Sequence, residues 1–257
     1  MFKLITTAIL FFCTASYSFS DAPLANPDTN SEKAVTSKPS LTPYSANYEV
    51  TWKAGWFPIT VKATRTLKAS EEFDWTLSFE AYSSIADLSE ISHFNVENQV
   101  ILPQKYRYKT TGFLSKSHRS QEFNWPDKKL WLPKKDVWAE YELPEYLQDN
   151  MSYQEQIRLE LMAGKKKFEY PIAYKNRLKH YYFEVVGESQ LKTKQGKITA
   201  IEVKQTHLKN KKESTHIWYA KDYDHLMVKL VKVRSNGDKN TILLKDAQLQ
   251  GRSLLGF

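Results

Sequence analysis

Residues 44–67 read YSANYEVTWKAGWFPITVKATRTL. Tyr44, Ala46, Tyr48, Val50 and Trp52 take every second place, and Ser45, Asn47, Glu49, Thr51 and Lys53 fill the gaps. After a break at Ala54-Gly55-Trp56, the residues Phe57, Ile59, Val61, Ala63 and Leu67 repeat the pattern. A period of two is the signature of a half-buried strand, so the stretch predicts a hairpin with one apolar face. The inward side chains are large, which asks whether they bury only each other or also a ligand.

The same alternation recurs along the chain. Phe73, Trp75, Leu77, Phe79 and Ala81 form one set, Tyr106, Tyr108 and Thr110 another, and Phe168, Tyr170, Ile172 and Tyr174 a third. Tyr181, Phe183 and Val185 continue it, followed by strands predicted at 198–208, 214–220, 226–234 and 241–249. Pro126-Asp127 marks a turn. Asn236-Gly237 is the strongest hairpin signal. One helix interrupts the series, predicted over about 153–163. Ser152-Tyr153-Gln154-Glu155 reads as a capping box, Tyr153, Ile157 and Leu161 make an apolar stripe, and Gly164 supplies the stop. The fold expected is mainly β: a single domain of about a dozen antiparallel strands, curled into a half-barrel or barrel to protect its edges, with one main helix packed on it.

Residues 1–20 have the organisation of an export signal: Lys3, a short apolar core from Leu4 to Phe12, and Ser18-Phe19-Ser20 as the cleavage site before Asp21. The apolar core is shorter than the roughly 20 residues that span a bilayer. Phe12 before Cys13, the single cysteine, departs from a lipidation signal. Residues 21–43 lack aromatics and periodicity and read as a flexible linker. Residues 44–257 make the β-rich domain. The expected product is an exported, soluble, periplasmic protein with no transmembrane helix after cleavage. The whole chain carries +8 and Lys3 contributes one of those charges, leaving +7. That balance suits anionic lipid headgroups or acidic glycan. The compartment and the lack of a recognition motif disfavour nucleic acid.

Five blocks in order, YSANYEVTWKAG, ISHFNVENQVILPQKYRY, SYQEQIRLELMAG, FEVVGESQLKTKQGKITAIEV and IWYAKDYDHLMVKL, resemble a DUF3108-like family of exported bacterial proteins, a domain of unknown function. The resemblance implies a β-rich periplasmic or cell-surface protein and transfers no reaction and no site residue.

Six histidines are scattered without helical metal-ligand spacing. No G-x-S-x-G elbow, phosphate loop or cofactor motif appears, and paired carboxylates among 29 acidic residues carry little information. The residues therefore nominate no catalytic group, no metal ligand and no cofactor. Two side chains are candidates for ligand binding. Arg65 falls on the inward face by parity, either as an internal ion pair or as an anchor for an anionic headgroup. His93 precedes a strand inside one of the resembling blocks. The function expected is a non-catalytic cell-envelope protein binding an amphipathic or polymeric anionic ligand, lipid or glycan. The alternatives are an enzyme acting on envelope polysaccharide and a protein assembly factor. A terminal membrane-barrel strand is set aside because the residues before Phe257 alternate poorly.

Overall fold

The opening alternation forms β1 (Tyr44–Ala54) and β2 (Phe57–Ala69), paired antiparallel from Tyr44↔Leu67 to Ala54↔Phe57. The computed structural model describes residues 40–257 except 55–56, 85, 113–116 and 208–210. The predicted export signal and cleavage site, most of the predicted linker and the predicted turn at Gly55-Trp56 lie outside the described residues. Tyr44, Ala46, Tyr48, Val61, Ala63, Arg65 and Leu67 are buried, while Ser45, Asn47 and Lys62 are exposed. The period of two thus divides core from solvent as the side-chain geometry of a strand requires.

The chain then runs as a meander through β3 (Trp75–Ala81), β4 (Ala86–Glu97), β5 (Val100–Gly112), β6 (Ser117–Asn124), β7 (Lys129–Leu132) and β8 (Val137–Trp138). Helix α1 (Ser152–Met162) follows. A second meander comprises β9 (Lys167–Tyr174), β10 (Arg177–Thr193), β11 (Gly196–Thr206), β12 (Ser214–Ala220), β13 (Leu226–Val233) and β14 (Lys239–Leu249). The two meanders join where β1 pairs with β14, and β15 (Arg252–Leu255) adds to β14. The result is one antiparallel sheet of fifteen strands, mostly continuous in chain order and not closed by its own ladders. The predicted Asn236-Gly237 hairpin joins β13 to β14, with Gly237 at φ +85° and Arg234 N–H donating to Asp238 O. Bulges at Asn47/Tyr48, His93/Phe94, Val185/Gly187 and Trp218/Tyr219 shift the register, and such insertions bend a sheet.

The segment between β8 and α1 laces the two free edges together. Ala139 N–H and Leu143 N–H donate to Leu130 O and Lys128 O on one side. On the other, Gln148 N–H donates to Pro171 O and Ala173 N–H to Gln148 O. Gln121 of β6 donates from Nε2 to Ala173 O and Lys175 O across the same seam.

The helix packs inside the curve of the sheet. Side chains from β1, β2, β9 and β12 reach it: Tyr44, Arg65, Tyr170 and Tyr219 bond to Glu155, Gln154, Glu160 and the Gln154 carbonyl. The predicted capping box is corrected. Ser152 is the first helical residue, and its Oγ accepts from Asp149 N–H. Asp149 Oδ1 accepts from Met151 N–H and Ser152 N–H, so the carboxylate three residues upstream takes the donors at the helix start. Glu155 is free of that duty and serves the core instead. The main apolar core surrounds the helix, from Leu67, Leu77 and Phe94 to Phe183, Ile217 and Leu244. A second, smaller cluster of Val61, Ala63 and Ala81 lies farther along β2 and β3, with Val50, Trp52, Ile59, Phe79 and Leu88 only partly buried on it.

Candidate functional site

Arg65 lies where parity placed it, 3% exposed, and its donors are taken within the protein. Its Nε donates to Tyr44 Oη at 2.8 Å, one terminal nitrogen to Gln154 Oε1 at 2.8 Å, and the other to Glu155 Oε1 at 3.1 Å. Tyr44 in turn donates to Glu155 Oε1 at 2.7 Å. Arg158 completes the cluster, reaching Glu155 Oε2 at 3.1 Å, Thr42 Oγ1 at 2.7 Å and Asp224 O at 2.7 Å. Burial alone would push the Glu155 carboxyl up, but Arg158 and Arg65 hold it below the usual carboxylate range. This is the internal ion pair foreseen as one reading of Arg65, and it ties β1, β2 and α1 together.

His93 is half-buried and stands on the face opposite the buried Ser92. Its Nδ1 shares a hydrogen bond with Thr76 Oγ1 at 2.9 Å, and its ring lies 5.2 Å from Phe73. Burial lowers its pKa, against the pull of Glu72. Arg65 and His93 therefore do not share a site.

The concave wall formed by β5, β6 and the β9–β10 hairpin holds an unforeseen cluster. A cleft of about 640 Å³ is lined by Tyr106, Tyr108, Arg119, Gln121, Tyr174 and Lys175, with Lys134 and Lys135 at its rim. The Arg119 guanidinium lies 4.1 Å from the Tyr108 ring centroid and 5.7 Å from that of Tyr174. Lys175, Arg177 and Lys179 stand 5.6, 5.7 and 3.6 Å from the same Tyr174 ring. Cations over aromatic faces are held by the ring quadrupole. Among the described residues, none of these four cations has a carboxylate within ion-pair range. The Arg119 Nε and Gln121 Oε1 atoms are buried without a partner. Burial lowers the Lys179 pKa and neighbouring Arg177, Lys232 and Lys175 lower it further, while Tyr174 opposes them.

Glu90 of β4 backs this wall. It accepts a short hydrogen bond from Tyr106 Oη, and its register partner in β5 is Tyr108. Burial raises its pKa to about 7; the Tyr106 bond, Arg119 and Arg65 pull it down and the Asp149 charge pushes it up. A larger groove of about 1070 Å³ runs along β9 and β10, but its lining mixes glutamates with lysines, and its Lys165 already pairs with Glu160 at 2.7 Å.

One signal for the cationic cleft was in the sequence: Tyr174, Lys175, Arg177 and Lys179 crowd one hairpin, and Lys179 shares the parity of Tyr181 and Phe183. Arg119 carried no such signal, because its partners come from strands distant in sequence.

Among the described residues, no helix is long and apolar enough to cross a membrane, and no three metal-ligating side chains converge. Among solved structures, the chain is similar to a β-barrel-like protein of the DUF1849 family from Brucella abortus. The TM-score is 0.58 at 12% identity, covering 82% of this chain and 99% of that one. This likeness shows a shared β-barrel-like fold. A DUF1329 family protein from Desulfovibrio piger matches at TM-score 0.27 and 9% identity, covering 85% and 88% of the two chains. An outer membrane lipoprotein-sorting protein domain from Vibrio parahaemolyticus matches at 0.20 and 10%, covering 81% and 86%. These two share too little geometry to carry an inference. No curated protein matches. Residues 47–245 match the family described as "Protein of unknown function (DUF3108)", most of the chain, and the protein belongs to that family.

Proposed function

We propose that this is an exported, non-catalytic protein of the cell envelope that binds an anionic amphiphile in the open half of its curved sheet. The observation that carries the reading is Arg119. Its guanidinium lies over two tyrosine rings and, among the described residues, neither it nor the three cations beside it has a carboxylate within ion-pair range. A guanidinium held in a fixed orientation is a ready donor to a phosphate or carboxylate.

The apolar part of the ligand has a matching surface. Phe79 is the β3 partner of Glu90, and Leu88 lies two residues from Glu90 on β4. From there the half-buried strip of Ile59, Trp52 and Val50 continues along the second cluster. An acidic head at Arg119 leaves its tail along this strip, where burial contributes roughly 25 cal/mol per Å². A binding role fits the acidic groups better than hydrolysis of a sugar bond. Glycosidases need two carboxyls facing the substrate, whereas Asp149, which interacts with Glu90, is fully buried and committed to Ser92 and the helix start.

A second reading, glycan binding, is favoured by one surface. Trp131 and Trp138 meet at 5.0 Å beside Phe73, Gln104 and Glu122, and Trp138 is 48% exposed.

The test is titration of the delipidated protein with a fluorescent fatty-acid analogue, alongside Arg119→Ala. Saturable binding at or below tens of micromolar, weakened about tenfold or more in the variant, supports the amphiphile reading; tenfold corresponds to about 1.4 kcal/mol. No saturable binding by the wild type ends it and leaves glycan or protein partners.

A further inference from the structure

Glu90 is a carboxyl beside a cleft whose charged lining residues are cations. It stands behind Tyr106 and across from Tyr108, the two tyrosines that line the Arg119 cleft. Tyr106 of β5 bonds to it, and Arg119 of β6 lies across from Tyr108, its own register partner. The charges of Arg119 and of Arg65 on β2 favour its ionised form, and that of Asp149 before the helix opposes it. Tyr153 of α1 lies within its electrostatic reach as well. Arg65 is fully engaged by Glu155, Tyr44 and Gln154. Among the described residues, the Arg119 Nε is buried without a partner. Glu90 is therefore the resident counter-charge of the ligand-binding wall.

We infer that an anionic ligand displaces this counter-charge by protonation: the ligand's negative head enters the Arg119 cleft as Glu90 takes up a proton. The inference rests on the binding function proposed above and adds its regulation. Two negative groups facing one guanidinium repel each other in a site partly shielded from water, so ionisation of one opposes binding of the other. Protonating Glu90 removes the repulsion without breaking the wall, since a neutral carboxyl still bonds to the Tyr106 hydroxyl. The proton comes from solvent and returns to it on release. Burial already brings Glu90 to about 7, so the exchange falls near neutral pH. Linkage sets the sign. Bound anion raises the Glu90 pKa, binding takes up at most one proton, and affinity falls as pH rises.

His118 also lines the cleft, so the experiment carries a control at that position. The mature protein is titrated calorimetrically with a short-chain phosphatidylglycerol as monomer and, in a second arm, with glycerophosphoglycerol, a phosphodiester that has no second ionisation of the kind a phosphate monoester has near pH 6. Runs at about pH 6, 7 and 8 use two buffers of different ionisation heat. The expected result is an affinity that falls by up to about tenfold per pH unit above neutrality, with uptake of between zero and one proton. Glu90→Gln should bind while losing both effects, and His118→Asn should keep them. Binding by the lipid alone assigns the site to an amphiphile, and binding by both probes assigns it to the phosphate head; either is compatible with the coupling. Persistence of the pH slope in Glu90→Gln, or its loss in His118→Asn, overturns the inference. Wild-type binding with no pH slope and no proton uptake overturns the coupling alone. No binding of either probe at any pH overturns the amphiphile reading and the coupling with it.

Discussion

Two arginines on the same concave face meet opposite fates, and neighbouring carboxyls decide which. Arg65 finds Glu155 at 3.1 Å and becomes structure. Arg119 finds two tyrosine rings and stays available. Glu90 sits between these outcomes, and its stability effect can be read without any ligand. Its folded pKa, about 7, lies above the ordinary 4.5. The folded state thus holds the Glu90 proton more tightly than the unfolded chain does. The stability gained from that proton is fully present below about pH 4.5 and is lost as pH rises through about 7. Glu90→Gln keeps an acceptor for Tyr106 and removes the titration. The variant should therefore be more stable than wild type by about 1–3 kcal/mol at about pH 8, with the gap closing below about pH 5. Thermal midpoints of the two proteins across that range check it; a constant offset would show that Glu90 does not titrate near neutrality. The inward position of Arg65 was legible from parity alone. Its partner was not, because Glu155 lies 90 residues away and looked like half of a capping box.

At the scale of elements, the strands were legible and the setting of the helix was only partly so. Period-two alternation is a local property, and it located the opening hairpin and the strand before Asn236-Gly237. The helix was located within a residue at each end, 153–163 against Ser152–Met162. Its environment was hidden, because nothing local marks the charged Glu155 and Arg158 or the polar Gln156 as buried, and all three are. They are buried at low cost because each is met: Glu155 by two arginines and Tyr44, Gln156 by the Ile101 N–H and Gln99 O, and Arg158 by Thr42 and Asp224. Glu155→Ala leaves two buried guanidinium groups without their carboxylate, and should destabilise by about 3–5 kcal/mol. The correction at the helix start gives a sharper comparison. Asp149→Ala removes the acceptor of two backbone N–H groups and of Ser92 Oγ, whereas Ser152→Ala removes one acceptor. The expected losses are about 2–3 kcal/mol and about 1 kcal/mol. Denaturant midpoints decide; equal losses would return the capping role to Ser152.

On the scale of the whole molecule, one helix cannot fill a sheet of fifteen strands, and the chain divides the concave face accordingly. The half around α1 is packed to exclusion: Leu77, Phe94, Ile217 and Leu244 are fully buried there. The half beyond Arg65 carries smaller buried groups, Val61, Ala63 and Ala81, under side chains that remain partly open. Small residues on a strand face leave room above them, and large half-open neighbours make that room apolar. The opening question about Tyr44–Trp52 thus has a divided answer along a single strand. Tyr44, Ala46 and Tyr48 bury core, while Val50 and Trp52 belong to the open strip. On the proposed function the division separates stability from binding, which can be tested with two leucines on neighbouring strands. Leu77→Ala empties a site in the packed half and should cost about 2–5 kcal/mol. Surviving folded protein should bind the fatty-acid analogue with little change. Leu88→Ser alters a half-buried position in the strip and should cost about 1 kcal/mol or less. Its loss of apolar contact with the ligand tail should weaken binding severalfold. The two measurements, unfolding midpoint and analogue affinity, must therefore rank the variants in opposite orders. If Leu88→Ser leaves affinity untouched while Arg119→Ala reduces it, the head is bound and the tail is not held on this strip. The ligand would then be a polar anion, and the apolar strip would face another partner.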